Sequence, residues 1–319
     1  MTYPNLFSRI GCMNKKITAA LIALTLLIPT TANAALKNQT TDLPTLAILD
    51  TALDTSLPIF KDKIAYEVCI LEWASCPNGQ TFMEGPGSAT LKKEMYSKGG
   101  FDHGTQMASV AVQSNPNMKI VFIRIIGQNI NGDRQISYED TVINALKWVS
   151  DNKDRFNIQA VSMSQGHHEL SLYKDYCPIT PKTKGLIQSL AVSNIPAFFA
   201  AGNNRDYTRI DWPSCIPESI SIGAATKYGI ELYSNGDNAL LDFYANGAMK
   251  VFLPGGTTKN ASGTSVSTQV AASQWIAIKQ AKPTMSLNDI YSLVSKTSVT
   301  VNSKSNTGKL INLQGAING

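Results

Sequence analysis

Ser265 lies in the stretch Asn260-Ala-Ser-Gly-Thr-Ser-Val-Ser-Thr-Gln269, a Gly-Thr-Ser turn that runs into the apolar helical segment Val266 to Ala281. A serine at the head of a helix has unpaired backbone N–H groups beside it and the positive end of the helix dipole. That suits a nucleophile whose attack creates an oxyanion. The plain alternative is an N-cap, where serine and threonine are common for capping alone. Two other stretches supply what a serine nucleophile needs. Leu46-Ala-Ile-Leu-Asp50 is a short apolar run ending in a carboxylate, followed by Thr51; Phe101-Asp-His103-Gly-Thr-Gln-Met-Ala-Ser109 places a histidine at the start of another apolar helix. A serine hydroxyl needs a base to take its proton, and the base needs a group that fixes its tautomer. Ser265, His103 and Asp50 fit those three roles. Asp54 is the nearby rival to Asp50 and lacks an apolar strand immediately before it.

These residues have to be held by something. Short apolar runs recur at Thr45–Leu49, Lys119–Ile125, Ala160–Met163, Ala197–Ala201 and Ser219–Ala224. Helical patterns lie between and after them, at His103–Gln113, Ser137–Asn152, Pro181–Val192, Thr264–Lys279 and Ser286–Lys296. Buried strands alternating with helices predict an α/β fold, a mainly parallel sheet with helices on both faces. Ligands in such sheets bind outside the carboxyl ends of the strands. Asp50, Gly166 and Asn203 all fall at such ends, which points to one shared site. The stretch from Tyr66 to Gly100, with two cysteines and Gly85-Pro-Gly87, reads as irregular, either a rim of the cleft or a neutral surface insertion.

The motifs resemble those of the subtilisin-like serine proteases (subtilases). The family's aspartate segment is an apolar strand and then Asp-Ser/Thr-Gly; here it is Asp50-Thr51-Ala52. Its histidine segment, His-Gly-Thr-x-Val/Met-Ala-Gly/Ser, matches residues 103 to 109 throughout, and its Gly-Thr-Ser-x-Ala/Ser segment matches Gly263 to Ser267. Val161-Ser-Met-Ser-Gln-Gly166 resembles the substrate-lining strand, and Phe199-Ala-Ala-Gly-Asn203 the strand and turn whose Asn donates to the oxyanion. The resemblance implies a three-layer subtilisin-like fold and a secreted endopeptidase. Ser265 would attack the scissile carbonyl, His103 would act as base and then acid, and Asp50 would orient it. Asn203 and the Ser265 N–H would bind the oxyanion. Ser164, Gln165, Gly166 and His167 on one side, and Ala200, Ala201 and Gly202 on the other, would bind substrate and wall the pocket for the side chain before the scissile bond.

Four departures stand out. Ala52 replaces a glycine, which would strain a backbone that needed positive φ. Gln269 replaces a proline. Ala245-Asn246-Gly247 stands where the family has Ala-Pro-Gly. His167 replaces a common glycine, so the pocket is expected to be narrower or more polar. Asn204, Arg205 and Asp206 could reach its mouth, and their charges roughly cancel, so no strong charge preference is expected.

Residues 1–34 read as a targeting segment: Met13-Asn-Lys-Lys16 as a positive n-region with Met13 as the start, Ile17 to Ile28 as a short apolar core, and Ala32-Asn33-Ala34 as the cleavage site. Residues 35–319 then form a single catalytic domain with no recognisable propeptide, so that folding is unaided or assisted by a partner. Without Arg9, Lys15 and Lys16 the formal charge of +5 falls to about +2, which leaves no basic run for nucleic acid or a membrane surface. No later stretch is apolar and long enough to span a bilayer. Cys69, Cys76, Cys177 and Cys215 remain after cleavage, an even number suited to an exported, secreted or periplasmic chain. The favoured pairing is Cys69–Cys76 closing a local loop and Cys177–Cys215 joining two loops; a metal site fits the unequal spacings poorly. No cofactor is assigned. Structural calcium, frequent in the family, stays open, because no compact acidic cluster is visible. The partner is a protein or peptide substrate. Two rival readings are a narrow-specificity toxin-like protease working with a carrier or chaperone subunit, and a non-catalytic secreted binding protein on the same scaffold.

Overall fold

The computed structural model describes residues 43–168, Cys177 and residues 180–319. The targeting segment lies outside them. The first half of the chain forms strands β1 (Thr45–Asp50), β2 (Ile64–Ile70), β3 (Phe82–Glu84) and β4 (Lys119–Arg124), the short hairpin β5 (Gly127–Gln128) and β6 (Arg134–Gln135), then β7 (Ile158–Met163). The second half adds β8 (Ala197–Ala200), β9 (Ile220–Thr226), β10 (Gly229–Ile230), β11 (Phe243–Asn246), the hairpin β12 (Ala248–Phe252) and β13 (Thr258–Ser262), β14 (Val299–Asn302) and β15 (Thr307–Leu310). The helices are α1 (His103–Ser114), α2 (Tyr138–Asn152), α3 (Pro181–Val192), α4 (Thr264–Ala281), α5 (Leu287–Thr297) and α6 (Leu313–Asn318).

The main sheet runs β3-β2-β4-β1-β7-β8-β9-β11-β15-β14, with β10 pairing β9. From β2 through β15 the neighbours are parallel, and β3, β10 and β14 pair antiparallel. This is the mainly parallel α/β sheet that the alternating runs predict. β1 alternates its side chains between two cores, as a period-2 strand between two helical layers must. Leu46 and Ile48 pack with Met107 of α1 and with Val266 and Trp275 of α4. Ala47 and Leu49 face the opposite layer with Val142, Leu146 and Val149 of α2. β1 is also where the order turns: the next strands go to one side of it, and β7, β8 and β9 to the other. A crevice opens at such a switch point, at the carboxyl ends of the strands.

The irregular stretch from Tyr66 needs correction. Ile64–Ile70 is a full parallel strand beside β4, with Phe82–Glu84 as its antiparallel edge partner. Glu67 broke the apolar run that would have marked it. Its carboxylate is buried and accepts the N–H groups of Gly87 and Ala89, so it organises the following loop. The cysteines are bonded as Cys69–Cys76 and Cys177–Cys215. Among the described residues no helix is long and apolar enough to cross a membrane. Nor does any group of three or more His, Cys, Asp and Glu side chains converge there, so no carboxylate-built calcium cage is found among them.

Candidate active site

Asp50 is the last residue of β1 and is fully buried. His103 is the first residue of α1. Gly104 lets that helix start close against the strand: a Cβ there would stand 2.5 Å from the Ala52 carbonyl oxygen. The Thr51 hydroxyl accepts the Gly104 N–H at 2.9 Å and completes the join. As a result His103 Nδ1 lies 2.8 Å from Asp50 Oδ1 and 3.1 Å from Oδ2. The Thr51 N–H donates to Oδ1 at 2.7 Å. Burial pushes the Asp50 carboxyl up, but the neighbouring His103, the Thr51 N–H and the more distant Arg134 outweigh it and hold the group below the ordinary carboxylate range. Asp54 is engaged elsewhere: its carboxylate accepts the Ser56 hydroxyl and the Gly255 N–H.

Ala52 is not among the residues with positive φ, so the expected strain after Asp50-Thr51 is not present. It is wholly buried in the α2-side core.

Ser265 is the second residue of α4, after Gly263 at the N-cap and Thr264. Its hydroxyl donates to the Ser164 carbonyl at 3.1 Å. In return the Ser164 hydroxyl donates to the Ser265 carbonyl at 2.9 Å. Gln269, one turn on and wholly buried, fixes this junction: its Nε2 donates to the Ser164 hydroxyl and its Oε1 accepts the Ser162 hydroxyl, both at 2.9 Å. The family's proline is therefore replaced by an amide that ties α4 to β7. Asn203 follows β8, and its Oδ1 accepts the Thr264 N–H at 2.9 Å and the Thr264 hydroxyl at 3.2 Å. That fixes the amide's orientation and leaves its N–H groups turned away from Thr264.

One cleft of about 290 Å³ is lined by His103, Arg134, Ser164–Gly166, Ala200, Gly202–Asn204, Asp211, Thr264 and Ser265. Most of the residues singled out in the sequence thus meet on one surface. Two do not line it. Ala201 is buried, with its N–H on the Ile222 carbonyl. His167 is not among the lining residues, and its N–H pairs with the Trp212 carbonyl at 2.9 Å.

Three lining or supporting residues have contacts that the sequence did not give them; two of these residues, Arg134 and Asp211, were not singled out at all. Gln165, taken as a substrate contact, donates from Nε2 to Asp50 Oδ1 at 2.9 Å, and the same nitrogen is 2.9 Å from His103 Nδ1. Arg134 donates to Gln165 Oε1 at 3.0 Å, which sets that amide's orientation. The arginine is in turn held by the carbonyls of Gly99 and Gly100, so the end of the long 66–100 stretch contacts the cleft only through Arg134. Asp211 lies between the two pocket walls and is 7% exposed. The one sequence mark of Asp211 is an acid directly before Trp212-Pro213; Arg134 has none, because the two-residue strand that carries it has no periodicity to read.

Comparison with known proteins accords with this architecture. Residues 42–316 match the profile described as the subtilase family (Peptidase_S8). The chain belongs to the subtilase family, the subtilisin-like serine peptidases. Subtilisin of Bacillus pumilus is 24% identical over 228 residues, 68% of this chain and 78% of that protein. Subtilisin E of Bacillus subtilis strain 168 is 24% identical over the same length, and the match spans 56% of it, little more than half. Among solved structures, a mutant of the protease domain of PatA superposes with a TM-score of 0.68 at 17% identity, over 88% of this chain and 96% of that one. A cold adapted subtilisin-like serine proteinase gives 0.62 at 18% identity, over 89% and 93%. At these identities the structural likeness is one of fold.

Proposed function

We propose that the chain is an exported serine endopeptidase in which Ser265 is the nucleophile, His103 the general base and acid, and Asp50 the orienting carboxylate. The observation that carries this reading is the 2.8 Å contact between Asp50 and His103 at the cleft that Ser265 enters from a helix N-terminus. Asp50 accepts the Nδ1–H, which leaves Nε2 as the basic nitrogen. In the resting arrangement the Ser265 hydroxyl is on the Ser164 carbonyl. A substrate laid along 164–166 as an added strand would offer its own N–H to that carbonyl. The hydroxyl is then released and can rotate to the imidazole, a tightening that often awaits substrate.

Attack on the scissile carbonyl gives a tetrahedral oxyanion. The Asn203 amide and the Ser265 N–H, at the positive end of α4, are its donors. His103 then gives the proton to the leaving amine, and water hydrolyses the acyl-enzyme by the same steps in reverse roles. Both disulfides suit an oxidising compartment and support export. Ser265→Ala should abolish hydrolysis of a peptide library. Asn203→Ala should lower kcat on the order of a hundredfold or more while KM changes little, the pattern of a donor used only in the transition state. Full activity in Ser265→Ala would refute the assignment.

A further inference from the structure

Asp211 is a carboxylate set in the floor of the cleft, between the two backbone walls. The near wall is Gly166, where an added Cβ would stand 3.1 Å from the Asp211 Cβ and 3.3 Å from its Oδ2. The far wall is Gly202, where a Cβ would stand 2.4 Å from that same Oδ2. Gly202 has φ of +104°, a conformation for which glycine is suited. Both conformation and space therefore require glycine at this wall, and it is the missing side chain that admits the carboxylate. The acid is built in, not a loose surface group. Its Oδ1 accepts Asn235 Nδ2 at 2.9 Å and lies 2.9 Å from His168 Nδ1. Asn235 is fully buried, and its own Oδ1 accepts the N–H groups of Asn204 and Asp206, so the carboxylate is locked to the loop after Asn203.

Oδ2 accepts no hydrogen bond from the described residues. Among the described residues no arginine or lysine pairs with Asp211; the charged or titratable neighbours that act on it are the imidazoles of His168 and His167. Arg134, which also lines the cleft, is held by Gly99, Gly100 and Gln165. The Nδ1–H of His168 serves the carboxylate whether or not that ring carries a second proton. One oxygen is thus satisfied by the protein and the other is open to the cleft.

Resting on the endopeptidase reading, we propose that Asp211 is the specificity-determining residue of this pocket and selects substrates with arginine or lysine immediately before the scissile bond. A guanidinium or ammonium donates to Oδ2 and completes a charge-assisted pair with a carboxylate that is only 7% exposed. Burial pushes the Asp211 carboxyl up, with the His168 and Asn235 bonds offsetting part of the effect, so a partner cation also recovers some of what burying the anion costs. An apolar side chain leaves the carboxylate desolvated and unpaired, which is the larger source of discrimination. The earlier expectation of no charge preference considered only residues 204–206. Of these, Asp206 is used within its own loop, where it accepts N–H groups of Thr208 and Arg209.

The test reads cleavage and binding separately. Wild-type protein is incubated with a mixed peptide library and the cleaved bonds are sequenced. Cleavage after Arg or Lys should exceed cleavage after Leu or Phe on the order of a hundredfold in kcat/KM. Asp211→Asn and Asp211→Ser should reduce that ratio at least tenfold. In parallel, Ser265→Ala protein is titrated with benzamidine and with its neutral isostere benzamide. Benzamidine should bind at least tenfold more tightly, and added Asp211→Asn should remove the difference. A wild-type profile dominated by apolar residues, or equal binding of the two probes, overturns the proposal, and neither depends on whether the Asp211 variants fold. The endopeptidase reading fails on a different result, the absence of any Ser265-dependent cleavage, in which case the probe titration alone decides the role of Asp211.

Discussion

Asp50 accepts three N–H bonds, from His103, Thr51 and Gln165, and all three reach Oδ1, with His103 Nδ1 also 3.1 Å from Oδ2. The third donor is the unusual one. Its amide is oriented by Arg134, a residue outside the recurring motifs, through a bond to the amide oxygen. Released from that bond, the amide could turn its oxygen toward the carboxylate and set two acceptors against each other. Gln165 thus acts as a positioning residue for the Asp50–His103 couple. Gln165→Leu should lower kcat on the order of tenfold with a smaller change in KM, because the geometry of the couple loosens while the backbone of 164–166 still receives substrate. Arg134→Met should have a smaller effect in the same direction. Steady-state kinetics on one peptide checks both; an unchanged kcat in Gln165→Leu would leave the amide a bystander. At this scale Asp50, His103, Ser265 and Asn203 were legible because each sits at an element end marked by composition. Gln165, Arg134 and Asp211 were not read in these roles, because their meaning lies in which remote residue each touches.

The junction of α4 with β7 is where elements, not single residues, set the site. Ser265 is aimed by the first turn of α4, and α4 is tied to β7 through Gln269, Ser162 and Ser164. Replacing Gln269 with leucine keeps most of the volume but strands the buried Ser162 hydroxyl and removes the N–H that the Ser164 hydroxyl accepts. The expected loss is about 2 kcal/mol of stability, read as a lower denaturant midpoint, together with a lower kcat. A neutral result would mean that the proline-to-glutamine change is only tolerated. The alternation of apolar runs was enough to read the parallel sheet, since fully buried strands announce themselves as short apolar segments. β2 escaped because Glu67 and Tyr66 interrupt its pattern, and the tertiary reason for the buried acid, the Gly87 and Ala89 N–H groups, lies about 20 residues on. The hairpin of β12 and β13 escaped as well, because β13 is polar and almost wholly exposed and β12 buries only Val251.

For the whole molecule, a long parallel sheet closed by remote pairings is slow to form, and cross-links that shorten the unfolded chain stabilise it. The Cys177–Cys215 bridge spans 38 residues and Cys69–Cys76 spans 7. Loop entropy assigns about 4 kcal/mol to the first and about 2 kcal/mol to the second. The paired Cys177→Ser/Cys215→Ser variant should therefore lose more stability in equilibrium unfolding than Cys69→Ser/Cys76→Ser; the reverse order would show that the short bridge locks the β2 edge by more than chain entropy.

All of this serves one claim about the assembled molecule, that the fold activates Ser265 through His103. Labelling of the folded protein with a fluorophosphonate, followed by peptide mapping, tests it most directly. The account predicts a covalent adduct on Ser265 in the wild type, and none on any residue in His103→Ala. A folded wild-type protein that takes no label on Ser265, or a His103→Ala variant labelled at the wild-type rate, would contradict it.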